Sequence, residues 1–254
     1  MVYFKRLFCK QYFLRNGEWH MKENIYTIPV SEVFEPRCGC PLCRLRDTLE
    51  QRCIDYIMGA AMMEPDIRIK TNEQGFCADH YGMMLKLKNR LSLALMLESH
   101  LAELKKGKYG DIRKKAKTKK AKRDGVKTVN DSCYVCDTIQ WAMEKMISTV
   151  LRQYQADGDF KKLFSEQEYL CLPHLEMLLC AAEDEMPKKA LPEFSAEAVS
   201  LADKYLEAVL GDVSHFCKMF DYRNSGKDAD WGNSRDSIER AVALLASCDY
   251  KGDQ

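Results

Sequence analysis

Four short cysteine and histidine motifs recur in a fixed order along the chain: Cys40-Pro-Leu-Cys43, Cys77-Ala-Asp-His80, Cys133-Tyr-Val-Cys136 and Cys171-Leu-Pro-His174. A Cys-x-x-Cys pair is followed by a Cys-x-x-His pair after 33 residues (44–76) in the first copy and after 34 residues (137–170) in the second. This nearly constant spacing indicates an internal repeat. Three thiolates and one imidazole complete the tetrahedral shell of a structural zinc ion and leave no position for water. The repeat therefore predicts two closed metal sites, one in each copy.

The predicted ligands follow the order of the repeat. The first site takes Cys40, Cys43, Cys77 and His80, and the second takes Cys133, Cys136, Cys171 and His174. Residues three apart lie on one face of a helix, so both side chains of a pair can reach one ion. The positive end of a helix also favours the thiolate form of a cysteine. We expect two zinc ions per chain, and an iron–sulfur cluster in each quartet is the alternative.

Cys38 adds a fifth candidate ligand to the first site. Its counterpart in the second copy is Asp131, so the repeat selects Cys40 and Cys43 and leaves Cys38 spare. We expect a free thiol there, or one that lies beside the ligands without binding the ion. The alternative is a thiol that exchanges with a ligand or senses oxidants.

Composition excludes several classes of protein. The chain has 254 residues, of which 46% are hydrophobic, so it can bury a core and is not disordered throughout. Its 12 cysteines have the spacing of metal ligands and follow no signal peptide, which predicts a reducing, cytoplasmic environment. No run reaches about 18 uncharged apolar residues, so we expect no membrane span.

The formal net charge of +1 conceals one strongly basic segment, Lys105–Lys127, in which twelve Lys or Arg stand against two Asp. Clustered basic residues bind phosphates through counterion release. Tyr109 is the segment's single aromatic residue, so base stacking is not its mode of binding. We expect a solvated linker over residues 107–130, with nucleic-acid binding as the alternative.

Apolar residues at three- and four-residue steps predict helices throughout both copies, whereas strand signals are few. Gly59 and Asp157 mark the ends of the helices that follow the two Cys-x-x-Cys pairs. In the first copy, the Cys-x-x-His pair opens a further helix that we predict to run from Tyr81 to about Lys105. The fold class is therefore predicted to be all-α, with two pseudo-symmetric halves, each pinned by one Cys3His site.

The predicted domain organisation follows the copies. Residues 21–106 form the first helical repeat, 107–130 the basic linker, and 131–248 the second repeat with the C-terminal helices. The codons of Gly17 and Glu18 can spell a purine-rich ribosome-binding site shortly before Met21. We therefore expect residues 1–20 to be a mis-assigned or disordered N-terminus, with translation starting at Met21.

A set of segments outside the metal motifs is also distinctive: Ile25–Val30, Met63–Asp66, Thr71-Asn72 before Gly75–Cys77, Asn89–Leu91, Phe220–Asn224 and Trp231–Asn233. Together with the Cys-Pro-Leu-Cys pair, they resemble a family of uncharacterised cytoplasmic proteins from anaerobic Gram-positive bacteria, known only as a domain of unknown function. The resemblance covers about Met21 to Ser247. It implies a lineage and no mechanism.

The sequence lacks the common catalytic motifs. It contains no nucleotide-binding glycine loop, serine-nucleophile elbow or zinc-protease motif. We therefore assign no catalytic residues and expect a non-enzymatic protein. The leading hypothesis is a zinc-binding interaction or regulatory module with a protein partner. The alternatives are an iron–sulfur or thiol redox protein, and a nucleic-acid-associated factor that uses Lys105–Lys127.

Overall fold

The computed structural model describes residues 26–107, 109, 113, 132–220 and 230–247. Within these ranges all regular secondary structure is helical, and no β-strand is found. The prediction of an all-α fold is confirmed. The predictions for residues 1–20 and for most of the linker 107–130 lie outside the described residues.

The described parts of the chain contain ten α-helices. The first five are α1 Thr27–Phe34, α2 Pro41–Met58, α3 Pro65–Gln74, α4 Ala78–Lys86 and α5 Arg90–Lys106. The other five are α6 Tyr134–Ala156, α7 Gly158–Ser165, α8 Leu172–Glu185, α9 Leu191–Met219 and α10 Ser237–Ala246. Two short 3₁₀-helices span Ala60–Met63 and Gly232–Ser234. None of the helices in these ranges is both long enough and apolar enough to cross a membrane.

The repeat is visible in how the helices begin. Helices α2 and α6 each begin one residue after the first cysteine of a Cys-x-x-Cys pair, and α4 and α8 each begin one residue after the cysteine of a Cys-x-x-His pair. The residue after each of these four cysteines is therefore the first helical residue. Pro41 and Pro173 lie in the first turns of α2 and α8, where a missing backbone N–H costs little.

The predicted helix from Tyr81 to about Lys105 is interrupted, which corrects that prediction. Helix α4 ends at Lys86, and Lys88 has a left-handed backbone with φ 57°. Asn89 then caps α5, because its side chain accepts a hydrogen bond from the backbone N–H of Ser92 at 3.3 Å. The apolar periodicity continues across this break, so it did not reveal the break.

The chain divides into two compact units. One unit combines the two ends of the chain, Met1–Leu45 and Lys145–Gln254, and the other is the continuous middle, Arg46–Glu144. The boundaries fall inside α2 and α6. This division differs from the predicted halves 21–106 and 131–248, because each unit takes helices from both copies of the repeat.

The unit built from the chain ends has an aromatic core. Phe164 is fully buried, and its ring centroid lies 5.9 Å from that of Phe34 and 5.5 Å from that of Phe194. The ring of Tyr154 meets both Phe164 and Phe194 edge-on, at 5.3 and 4.9 Å. Edge-to-face pairs at these distances add to the free energy gained by burying the rings. This core joins α1, α6, α7 and α9.

The middle unit is built around the packing of α3 against α5. The Arg68 side chain donates a hydrogen bond to the backbone carbonyl of Leu95 at 2.9 Å, and Ser99 donates to the side chain of Asn72 at 2.9 Å. Leu93 and Met96 supply the buried apolar face of α5. The packing brings the C-terminal end of α3 toward the start of α6, where a metal-binding pair begins.

Gly75 terminates α3 in the left-handed region, with φ 65°. A Cβ at this position would lie 3.0 Å from Nε2 of His100, so a side chain meets both backbone strain and a steric contact. Its carbonyl accepts a hydrogen bond from the N–H of Tyr134 at 3.0 Å, which ties α3 to the start of α6. Gly75 therefore helps to position two of the motifs described below, those at Cys77 and Cys133.

Candidate metal centres

All four motifs have the same local geometry. In each, the first cysteine stands directly before a helix and its backbone carbonyl accepts the first hydrogen bond of that helix. The donors are the N–H groups of Arg44, Tyr81, Asp137 and Leu175, at 3.3, 3.0, 3.0 and 2.9 Å. The second ligand of each motif is the third helical residue, so both side chains lie at a helix N-terminus. The partial positive charge there favours thiolates.

The first cluster is formed by Cys40, Cys43, Cys171 and His174. It is called the outer site because its ligands lie on either side of the other cluster's ligands along the chain. The sulfur atoms of Cys43 and Cys171 lie 3.6 Å apart. Nδ1 of His174 lies 3.1 Å from the sulfur of Cys171, 3.4 Å from that of Cys43 and 3.8 Å from that of Cys40. All four side chains are buried. The outer site belongs to the unit that combines the chain ends.

The second cluster, here called the inner site, is formed by Cys77, His80, Cys133 and Cys136. Nδ1 of His80 lies 3.0, 3.2 and 3.5 Å from the sulfurs of Cys77, Cys133 and Cys136. The sulfurs of Cys77 and Cys136 are 3.9 Å apart. Cys133 and His80 are buried, whereas Cys77 and Cys136 are half-buried. The inner site belongs to the middle unit.

The spacing of the ligand atoms fits a single tetrahedral ion. In each cluster the four ligand atoms lie within 4.8 Å of one another. Bond lengths of about 2.3 Å to sulfur and about 2.0 Å to nitrogen place tetrahedral ligands roughly 3.5 to 3.8 Å apart. The individual contacts given above, from 3.0 to 3.9 Å, surround these values. Each cluster can therefore hold one metal ion, with all four positions taken by protein.

The grouping of the ligands corrects the sequence-based prediction. All eight predicted residues are brought into two clusters, but the pairs are crossed between the copies. The Cys-x-x-Cys pair of the first copy meets the Cys-x-x-His pair of the second copy, and the reverse holds for the other two pairs. The predicted quartets within each copy are therefore wrong. Spacing along the chain identifies the pairs, whereas helix packing decides which helix N-termini meet.

The thiols of the inner site differ strongly in proton affinity. Hydrogen bonds from the side chain of Cys136, from His80 and from the backbone N–H groups of Cys136 and Cys77 lower the pKa of Cys133 to about 3, despite its burial. The hydrogen bond to Cys133 and burial raise the pKa of Cys136 well above its ordinary value. Burial lowers the pKa of His80, but hydrogen bonds to Cys133 and Glu50 outweigh it and raise the pKa to about 10.

The outer site has the same pattern. Hydrogen bonds from Cys40 and Cys43 strongly lower the pKa of Cys171, and the hydrogen bonds to Cys171 and Cys40 raise the pKa of Cys43. Burial lowers the pKa of His174, but its hydrogen bonds to Cys171 and Cys40 raise it to about 9. These shifts favour a thiolate beside an imidazolium in each cluster when no metal is bound. A metal ion must displace the remaining protons.

The sequence-based prediction did not include two residues that contact the ligands. Oε1 of Glu50 lies 2.8 Å from Nε2 of His80 in the inner site. Oγ of Ser247 lies 3.1 Å from the sulfur of Cys171 in the outer site. Ser247 is buried and has a left-handed backbone, with φ 56°, directly after α10. Glu50 lies on α2, the helix that begins directly after Cys40, which is a weak signal. The sequence offers no signal for Ser247.

The other polar candidates are not members of either cluster. Cys38 is exposed, is not part of either cluster, and has Nη1 of Arg44 3.9 Å from its sulfur. Next to the inner site, α3 and α6 border an open hollow of about 260 Å³ lined by Lys70, Gln74, Tyr134, Asp137, Thr138 and Trp141. Within it, Gln74 donates a hydrogen bond to Asp137 at 2.8 Å.

Comparison with known protein families gives a match over most of the chain. A family described as a family of unknown function (DUF6062) matches residues 21–251. No curated protein and no solved structure matches the chain. The match covers most of the chain, so the resemblance to a family of unknown function is confirmed. That family is one of unknown function, so the match assigns no activity.

Proposed function

We propose that this chain, which belongs to the family of unknown function DUF6062, is a non-enzymatic zinc-binding protein with two structural sites. The main support for the proposal is the pair of clusters, each with three cysteine sulfurs and one imidazole nitrogen within 4.8 Å of one another. Four protein ligands leave no open position for substrate or water, which is the arrangement of structural zinc and not of catalytic zinc.

The donor set supports zinc over an iron–sulfur cluster. Three thiolates and an imidazole form a common structural zinc set. An iron–sulfur cluster distributes its four protein ligands over two or four iron atoms, so ligand atoms on different irons lie farther apart than ligand atoms around a single ion. In each cluster here, all four ligand atoms lie within 4.8 Å of one another. That close grouping favours one ion in each cluster.

The role we assign to the metal is to stabilise the fold. Binding of structural zinc contributes roughly 10 to 16 kcal/mol in small zinc-finger peptides. A typical domain is stable by only about 5 to 15 kcal/mol. Each ion would join the N-termini of two helices from different copies of the repeat. Removal of the metal should therefore unfold at least the unit that contains the emptied site.

Metal analysis tests this proposal directly. The protein is purified without oxygen and without added metal, and its metal content is measured with its visible absorption spectrum. Two zinc ions per chain and no visible colour are expected. Iron with acid-labile sulfide and a visible absorption band would overturn the proposal in favour of a redox protein. A metal-free, fully folded protein would overturn metal binding altogether.

Exposed apolar side chains support the proposal of a protein partner. Leu206 and Leu210 on α9 are four positions apart, and Ile238 and Leu245 on α10 are seven positions apart, so each exposed pair lies on one face of its helix. Exposed apolar faces are typical of interaction surfaces. Changing Leu210 and Leu245 to glutamate should reduce binding to any partner that uses these faces, while the zinc content stays at two.

Nucleic-acid binding by Lys105–Lys127 is the second proposal. Steep salt dependence of that binding would support it.

A further inference from the structure

The two imidazoles of the metal sites differ at the ring nitrogen that faces away from the thiols. Both rings direct Nδ1 toward their cysteines, at 3.0 Å for His80 and Cys77. The closest such distance for His174 is 3.1 Å, to Cys171. Nε2 of His80 lies 2.8 Å from Oε1 of Glu50. Among the residues that the structure describes, no carboxylate contacts His174.

The two copies of the repeat also differ in sequence at the position of Glu50. Glu50 lies seven residues after Cys43, two turns along α2. The residue seven positions after Cys136 on α6 is Met143, whose side chain is buried and apolar. Helices α2 and α6 begin with the same motif, but only α2 carries a carboxylate at this position. The carboxylate is thus a property of one helix and not of the repeat.

We propose that Glu50 is a positioning residue of the inner metal site and that it makes this site chemically different from the outer one. This inference rests on the proposed metal binding. A carboxylate that accepts the Nε2 hydrogen fixes the tautomer whose lone pair is on Nδ1, and it holds the ring in the orientation that ligation needs. The Glu50 side chain is 29% exposed, so its hydrogen bond is partly shielded from water and is stronger than one on an open surface.

A competing explanation is an ion pair that matters only without metal. Glu50 would then stabilise the imidazolium form of His80, which must lose a proton before it binds a metal ion. In that case removing the carboxylate would leave metal affinity unchanged or would increase it. If Glu50 positions the neutral ring, the same change weakens metal binding. The two explanations therefore predict different signs for one measurable quantity.

The test is zinc affinity, measured by competition with a chromophoric chelator on the full chain. Glu50→Ala should weaken one of the two sites about 10- to 100-fold, the usual effect of losing an outer-shell carboxylate, and leave the other site unchanged. Glu50→Gln keeps an oxygen acceptor and should lose less. Asp55→Ala is the matched control, because Asp55 is an exposed carboxylate on α2 that accepts a hydrogen bond from Gln51 at 2.9 Å.

Two further measurements assign the effect. The weakened site must be the one that is lost in Cys136→Ser, which removes an inner ligand. In zinc-loaded protein labelled with ¹⁵N, the Nε2–H resonance of His80 should shift in Glu50→Gln, whereas that of His174 should not. If Glu50→Ala does not fold, the Glu50→Gln protein supplies both measurements.

Each outcome is decisive. Unchanged or tighter binding in both Glu50 variants overturns the inference, and so does equal weakening of both sites with loss of folding stability. Equal effects of Asp55→Ala and Glu50→Ala would also overturn it. Absence of metal binding by the unaltered protein would instead overturn the proposed function, so the two failures are distinguishable.

Discussion

The sulfur of Cys43 lies 3.6 Å from the sulfur of Cys171, although 128 positions separate the two residues in the chain. The sulfurs of Cys77 and Cys136, which lie 3.9 Å apart, are separated by 59 positions. The second pair falls inside the interval of the first. The inner site is therefore enclosed in the sequence by the ligands of the outer site.

Double substitutions separate crossed from sequential pairing. Cys43→Ser combined with Cys171→Ser removes two ligands from one site, so the variant should retain one zinc ion per chain. Cys43→Ser combined with Cys77→Ser damages both sites, so this variant should retain none. Native mass spectrometry counts the bound ions. Sequential pairing predicts the opposite result for the two variants, and that result would contradict the arrangement described here.

Metal release should occur in two phases. Cys77 and Cys136 of the inner site are half-buried, whereas all four ligands of the outer site are buried. A chelator or thiol reagent reaches exposed ligands first, so one zinc ion should leave faster than the other. The fast phase should be absent in Cys136→Ser and present in Cys43→Ser. A single phase for both ions, measured with a chelator dye, would argue against this difference in access.

Zinc binding should release protons. At pH 7 the raised pKa values of His80, about 10, and of Cys136 keep both groups protonated in the metal-free inner site. Cys133, with a pKa of about 3, is already a thiolate. Binding must therefore expel at least two protons, one from His80 and one from Cys136, and affinity should fall as the pH is lowered. Calorimetry in two buffers of different ionisation enthalpy counts these protons, and a count of zero would refute the charge assignment.

The aromatic core of the unit built from the chain ends should be sensitive to truncation of its side chains. Phe164 is fully buried between Phe34, Tyr154 and Phe194. Phe164→Ala should lower the free energy of unfolding of the zinc-loaded protein by about 3 to 5 kcal/mol, because it removes apolar contacts and leaves a cavity. Trp141→Ala is the control: this side chain is 55% exposed, and surface changes stay within about 0.5 kcal/mol. Denaturant titration measures both variants.

Local structure was largely predictable from the sequence because its causes are local. Helix periodicity and the paired ligands depend on residues three or four apart. The sequence therefore predicted the all-α fold and the eight residues that the structure brings together. The end of α2 before Gly59 and the boundary at Asp157 also follow from local backbone preferences. Asp157 caps α7 by accepting hydrogen bonds from the N–H groups of Asp159 and Phe160.

The crossing of the pairs was not predictable because the motifs are chemically interchangeable. Either Cys-x-x-His pair can complete a tetrahedral shell with Cys40 and Cys43, and the spacing between motifs does not distinguish them. The choice depends on long-range packing of whole helices. The Glu50 contact was missed for the same reason, since it requires that α2 and α4 meet. The break at Lys88 was missed because lysine rarely marks a left-handed turn.

The nested order of the ligands has a consequence for biosynthesis. The ligands of the inner site are complete once Cys136 has left the ribosome. The ligands of the outer site are complete only with His174, which is 38 residues after Cys136. Until then Cys40 and Cys43 exist as an unfinished thiol pair in a nascent chain that already contains Cys77 and His80. A metal ion captured early by these four groups would lock in the wrong pairing. Correct assembly of both sites then requires that any ion bound in this way dissociates or exchanges its ligands.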